Sequence, residues 1–203
     1  MTDAGRPRGA HVLDAALDVI ATRGFDGLSV RAVAARAGVS SAQVQYYFRS
    51  KDELLAAAFE YVGADVARRA ELVETSGTRR ELLRALLEVW LPLDEARTRS
   101  ARVWLAYTAA AATSPSLGPM NATMDARLRT GFADVLSEAR AGGELGAGVD
   151  VEVEAALLLA VVDGLVLQAL ALPADARAEL LLTGIDTHLD RLFGDGPHEA
   201  SDY

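Results

Sequence analysis

Apolar residues recur along this chain at three- and four-residue steps, and nowhere at every second position over a useful length. That pattern predicts helices throughout and no sheet. Leu13, Ala16, Leu17, Ile20 and Ala21 form the first apolar face, after Pro7, a residue suited to a helix's first turn. Gly24 is the expected stop, with Phe25 packing back against the helix. Val30, Val33, Ala34 and Ala37 form a second face. Val44 and Phe48 form a third, on a helix of only about two turns. Residues 50–74 then read as a long helix with Leu54, Leu55, Ala58, Phe59, Val62 and Val66 on one side, broken by Thr75-Ser76-Gly77. Further helices are expected from Thr78 to near Pro92 and over 95–112, 117–141, 155–172 and 175–193. The fold class is all-α, with about nine helices.

Polar residues punctuate the pattern. Gly38 is a turn residue that reaches positive φ without steric cost. Ser40 with Gln43, Ser50 with Glu53 and Thr78 with Glu81 each have the spacing of a capping box, in which two orphan backbone donors are satisfied reciprocally. Ser29 is a further N-cap. Residues 8–48 are therefore three helices, the last two in helix-turn-helix relation. The short third helix turns Val44 and Phe48 inward and Ser41, Ala42, Gln43, Gln45, Tyr46 and Tyr47 outward. Amide and phenol groups beside Arg49 and Lys51 suit a DNA major groove.

Over roughly residues 8–60 the chain resembles the tetracycline-repressor (TetR) family. The resemblance rests on Gly-Phe-Asp-Gly-Leu-Ser at 24–29, Gly-Val-Ser at 38–40 and Tyr-Phe-Arg-Ser-Lys at 47–51. Gln45 stands where the family usually has tyrosine, and Ala42 where glycine or proline is common, so no operator sequence carries over. Further on, residues 102–111 (RVWLAYTAAA) and 161–173 (VVDGLVLQALALP) are similar to the subgroup that includes the choline-responsive regulators. The resemblance implies a DNA-binding domain over 1–49 and an effector-binding and dimerisation domain over 50–203. It also implies that the helix from Ser50 links the two and that the last two helices form the dimer.

Charge is divided along the chain. Its net charge of −9 argues against a nucleic-acid partner at first sight. Residues 1–51, however, carry seven basic groups (Arg6, Arg8, Arg23, Arg31, Arg36, Arg49 and Lys51) against four acids, net +3. The remainder carries 13 basic and 25 acidic groups, net −12. A basic head on an acidic body confines phosphate contact to one end. There is no cysteine, so disulfides and thiolate metal sites are excluded. No basic-then-apolar leader precedes the first helix, which predicts a cytoplasmic protein.

Ser41, Ala42, Gln43 and Gln45 are candidate base readers. Ser29, Arg31, Tyr46, Tyr47 and Lys51 are candidate phosphate contacts. Trp90, Trp104, Tyr107, Met120, Met124, Leu128 and Phe132 are candidates for an apolar effector cavity, or else ordinary core. Asp163, in an otherwise apolar helix, is a pocket anion or, the preferred reading, a buried acid paired with Arg102 or Arg129. That helix is long enough to span a bilayer, but a mid-span Asp is costly there. An all-round apolar helix is otherwise buried on two sides, one on the core and one on a partner subunit. Leu158, Val162 and Leu165, with Leu181, Ile185 and Leu189, are the expected dimer interface. GGELGAGV at 142–149 lacks the spacing of a phosphate loop and reads as a helix stop. His11, His188 and His198 are scattered, and Asp186, His188 and Asp190 have poor metal geometry. No cofactor or metal is called for, and no nucleophile has an adjacent base. The expectation is a homodimeric regulator with a double-stranded DNA operator and a small-molecule effector as partners, not an enzyme. The alternative is a helical carrier or enzyme with a vestigial DNA-binding head.

Overall fold

A computed structural model describes residues 9–74 and 76–194. Pro7, Arg6, Arg8, Thr75 and His198 lie outside the described residues. Within them the chain forms nine helices and no strand: α1 (Ala10–Gly27), α2 (Val30–Ala37), α3 (Ser41–Tyr47), α4 (Lys51–Ala70), α5 (Arg79–Glu88), α6 (Glu95–Ala111), α7 (Gly118–Ala141), α8 (Val151–Leu170) and α9 (Ala174–Phe193).

The polar punctuation starts and stops these helices. In α1 regular helix breaks at Gly24, whose φ is +66°, and one more turn runs to Gly27. Ser29, Ser40, Ser50 and Thr78 each accept a hydrogen bond from the backbone N–H three residues on. Only Thr78 closes the full box, with Glu81 accepting from the Thr78 N–H at 2.9 Å. Glu53 reaches one residue further back, to the Arg49 N–H at 2.8 Å. The apolar run beginning at Ala155 underestimates α8. Asp150 caps it by accepting from the N–H groups of Glu152 and Val153, so the helix starts four residues earlier.

Packing gathers the described residues into two units, 9–67 with 94–121, and 68–74 and 76–93 with 122–194. The division differs from the one expected at residue 49, because α6 packs on α1. In the first unit, Val12, Ala16, Leu17 and Ile20 of α1 are buried with Val33, Val44, Leu54, Leu55 and Phe59. Three charges tie its helices together. The Asp18 carboxylate accepts from Arg36 at 2.5 Å and from Arg99 at 2.8 Å, joining α1 to α2 and α6. Burial alone would raise the Asp18 pKa, but the two arginines outweigh it and hold the carboxyl below its ordinary value.

In the second unit, Leu83 and Leu87 of α5, Phe132 and Leu136 of α7, Leu158 and Val162 of α8, and Leu181, Ile185 and Leu189 of α9 form one apolar cluster. All six residues expected at the dimer interface lie in or against this cluster. Leu158, Val162, Leu181, Ile185 and Leu189 are buried within the single chain, and Leu165 packs on the same cluster. The first five are core of the single chain, and Leu165 is half-buried at its edge. The exposed apolar side chains of α8 are instead Val153, Leu157 and Leu167, on the opposite face. α8 is long and apolar enough to cross a membrane. Here its inward face is part of the core, packed against α9.

Candidate nucleic-acid interface

The recognition element is built from the turn outward. Gly38 adopts φ +69°, and its N–H bonds back to the Ala34 carbonyl to close α2. Ser40 then caps α3, and its hydroxyl is occupied by the Gln43 N–H at 3.1 Å. Val44 and Phe48 anchor α3 in the core, at 0% and 8% exposure. Except for half-buried Tyr47, the rest of the helix is displaced to the surface: Ser41, Ala42, Gln43 and Gln45 are exposed, and Tyr46 is 82% exposed. The Gln43 side-chain amide does not return to the Ser40 N–H among the described residues, so the expected second half of that box is not formed. Both ends of that amide face solvent, able to donate and accept on one base edge.

Around α3 stand the expected phosphate contacts. Arg31 is exposed on α2. The Ser29 hydroxyl accepts from the Ala32 N–H at 3.2 Å, which leaves its O–H free to donate outward. Lys51, in the first turn of α4, lies with Nζ 3.8 Å from the centre of the Phe25 ring. A cation–π contact of this kind fixes a flexible ammonium without neutralising it. Tyr47 is half-buried and less available than Tyr46. The two rings meet edge to face at 5.2 Å.

Two features of the site escaped the pattern. Gly9 precedes α1 with φ +89°, and a Cβ there would lie 3.3 Å from the Tyr47 ring. The start of α1 thus closes over the end of α3, which only glycine permits. Asp18 takes Arg36, one of the head's basic groups, into the intramolecular pair described above. Neither contact has a local sequence signal.

The family model described as bacterial regulatory proteins of the tetR family matches residues 12–58, which include α2, α3 and the start of α4. The model for the C-terminal part of BetI-type transcriptional repressors matches residues 79–194. The chain belongs to the TetR family. The HTH-type transcriptional regulator PksA of Bacillus subtilis (strain 168) is 29% identical, over 95% of this chain and 93% of its own. A solved transcriptional regulator from Rhodococcus sp. Rha1 is 38% identical with a TM-score of 0.82, over 92% of this chain and 96% of that one. A regulator from Saccharomonospora viridis solved in complex with choline shares the fold, with a TM-score of 0.76 at 24% identity, over 89% and 92% of the two chains. This TetR-family chain is a DNA-binding transcriptional regulator of the BetI type, with the expected all-α fold.

The residues expected at an effector site fall in both packed units. In the first, Tyr107 is fully buried and stacks on Phe59, with ring centres 3.9 Å apart, while Trp104 lies 4.8 Å from the same ring. The Tyr107 hydroxyl donates to the Leu117 carbonyl at 2.9 Å. Burial, with the Glu60 and Asp52 carboxylates, raises its pKa. Met120 is half-buried. In the second unit, Phe132 belongs to the core cluster and Leu128 packs on it. Trp90 and Met124 are half-buried.

Asp163 departs from its expected pairing. Arg102 donates to the Ala21 carbonyl instead, and Arg129 acts on Asp125. The charged neighbour of Asp163 is the Asp125 carboxylate. Part of the Asp163 side chain reaches the surface. Even so, loss of water around its carboxyl, with Asp125 adding repulsion, pushes its pKa up to about 6. The folded chain thus holds a proton that the unfolded chain, at 3.8, releases earlier. Stability tied to this group falls as pH rises from about 4 through about 6. Asp163→Asn is expected to melt at a higher temperature than the wild type at pH 7, with the gap closing near pH 4. Equal melting temperatures at pH 7 would mean a well-hydrated carboxylate. Asp18 works the other way: its contribution is present above the ordinary carboxylate pKa and lost below it.

Proposed function

We propose that the chain is a homodimeric, ligand-responsive repressor that acts in the cytoplasm and leaves a near-palindromic operator when a small, mainly apolar effector binds. The carrying observation is α3. Its backbone donors are capped within the chain and its apolar anchors are buried, and its exposed face consists of Ser41, Ala42, Gln43, Gln45 and Tyr46. A short polar helix held this way reads base edges in a major groove, and two copies read half-sites about one helical turn, or a multiple, apart. Arg31, Lys51, Ser29 and Tyr46 supply sequence-independent phosphate contact. The exposed Val153, Leu157 and Leu167 of α8 support the dimer. Trp104 and Met120 in the first unit, and Trp90, Met124, Leu128 and Asp163 in the second, are the proposed effector residues. The choline complex of the Saccharomonospora viridis regulator supports testing quaternary amines alongside apolar ligands. An effector that favours the DNA-incompetent state shifts the population between two states, and the coupling is reciprocal.

Paired substitutions test the DNA reading. Gln43→Ala is expected to relax preference at one base pair per half-site by about 1–3 kcal/mol. Lys51→Ala is expected to weaken binding to all sequences alike and reduce the salt slope by about one. A randomised-operator selection with salt titration reads both. An unchanged preference profile for Gln43→Ala would remove α3 from base readout, and an unchanged salt slope would remove Lys51 from the phosphates.

A further inference from the structure

The corner between α1 and α2 is more constrained than a plain connection between two helices needs to be. Gly24 stands at φ +66° and ψ −174°, a region essentially confined to glycine. A Cβ there would meet nothing within 4 Å, so the demand is on the backbone and not on space. At Gly27 the demand is on space: a Cβ would lie 2.4 Å from the Arg23 Cβ. Between the two glycines the Phe25 carbonyl accepts from the Leu28 N–H at 3.0 Å, and Leu28 is buried. The backbone that carries the Phe25 ring is therefore fixed on both sides.

Across from that ring stands Lys51, whose backbone is fixed too. Ser50 accepts from the Glu53 N–H, and the Glu53 carboxylate accepts from the Arg49 N–H at 2.8 Å. The second acid beside Lys51 in the chain, Asp52, accepts from the Ser116 hydroxyl at 3.1 Å. Both neighbouring carboxylates are thus engaged elsewhere, and the ammonium rests 3.8 Å from the centre of the Phe25 ring. A carboxylate in that place would cancel the charge that a phosphate needs. The negative face of an aromatic ring attracts the ammonium and leaves its charge whole. It occupies one side of a group that has three donors to give. A long side chain already ordered on a fixed ring also loses less freedom when it meets its phosphate.

We propose that Phe25 is a positioning residue for DNA binding: the Gly24–Gly27 corner holds its ring so that Lys51 is presented, charged and ordered, to a phosphate of the operator. Phe25 acts through Lys51. This rests on the phosphate reading of Lys51 above and adds the residue that sets the contact.

The test is a double-mutant cycle in the full chain with Phe25→Leu, Lys51→Ala and both together, on a duplex recovered by the randomised-operator selection. A cation–π contact at an exposed site corresponds to roughly a two- to fivefold change in dissociation constant, or about five- to thirtyfold in a dimer that makes it twice. Phe25→Leu is expected to weaken binding by that factor when Lys51 is present and to change nothing in the Lys51→Ala background. The salt slope is expected to fall by about one for Lys51→Ala and to stay at the wild-type value for Phe25→Leu, whose ammonium is still charged. A leucine that loosened the corner would also lower affinity. Site-specific replacement of Phe25 by pentafluorophenylalanine therefore accompanies it, since this keeps the ring and reverses its quadrupole. Weakened binding is expected here as well. Equal losses for Phe25→Leu in both Lys51 backgrounds, or wild-type affinity with the fluorinated ring, overturn the proposal and leave Phe25 a fold residue. Wild-type affinity and slope for Lys51→Ala overturn the phosphate reading itself.

Discussion

Leu181→Glu is expected to abolish the folded state, whereas Leu157→Glu is expected to leave a folded monomer. Leu181 is fully buried in the cluster formed by α5, α7, α8 and α9. Arg177, buried one turn before it on the same face of α9, already donates to the Ala169 and Leu172 carbonyls. A carboxylate placed there loses its water without gaining a partner, at a cost of several kcal/mol. Domains of this size are stable by only about 5–15 kcal/mol, so this one change removes much of the total. Leu157 is 49% exposed on the opposite face of α8. A glutamate there is hydrated in the single chain and meets trouble only when a second copy covers it. Thermal melts separate the outcomes, and sedimentation then counts subunits. A cooperative melt with monomeric Leu181→Glu would mean that α9 turns Leu181 outward. A dimer constant unmoved by Leu157→Glu would mean that the apolar stripe of α8 is not the covered face.

That contrast marks where sequence reading stops. Helical periodicity says which residues share a stripe, and on α9 the regular stripe of Leu181, Ile185 and Leu189 is so clear because it is the core. On α8 nearly every position is apolar, so two stripes satisfy the period equally. Leu158 and Val162 cannot be told from Val153 and Leu157 without the neighbours that cover one side. The caps were legible for a different reason. Ser40, Ser50 and Thr78 act on backbone donors three residues away, so sequence distance is spatial distance. Asp150 follows the same rule, but Glu152 and Glu154 interrupt the apolar run and hid the true start of α8. Most of the surface of α3 could be read because Val44 and Phe48 fix its inward side. The Asp18 pairs could not: Arg36 is 18 residues away and Arg99 is 81, and only the packing of α6 on α1 brings the second one near. Asp163 failed similarly. A lone acid in an apolar helix invites an arginine, and the neighbour supplied by α7 is a second acid.

Tyr107→Ala is expected to cost about 3–5 kcal/mol, the range for deleting a large buried aromatic side chain. The ring is fully buried, its planes lie 12° from those of Phe59, and Trp104 completes the cluster on the Phe59 ring. Removing it leaves a cavity that α4 and α6 cannot both collapse around, since Leu54, Leu55 and Ala58 already fill their own places in the core. Tyr107→Phe separates the ring from its hydroxyl. It keeps the stacking and removes the buried bond to the Leu117 carbonyl, for about 1 kcal/mol. Denaturant unfolding reads both variants, and tryptophan emission reports on the Trp104 environment. The ratio of the two costs decides the role of the residue. A large loss for alanine and a small one for phenylalanine makes Tyr107 a structural wedge in the first packed unit. A loss near 1 kcal/mol for both would mean that the ring faces open space, where a ligand rather than the core is its partner.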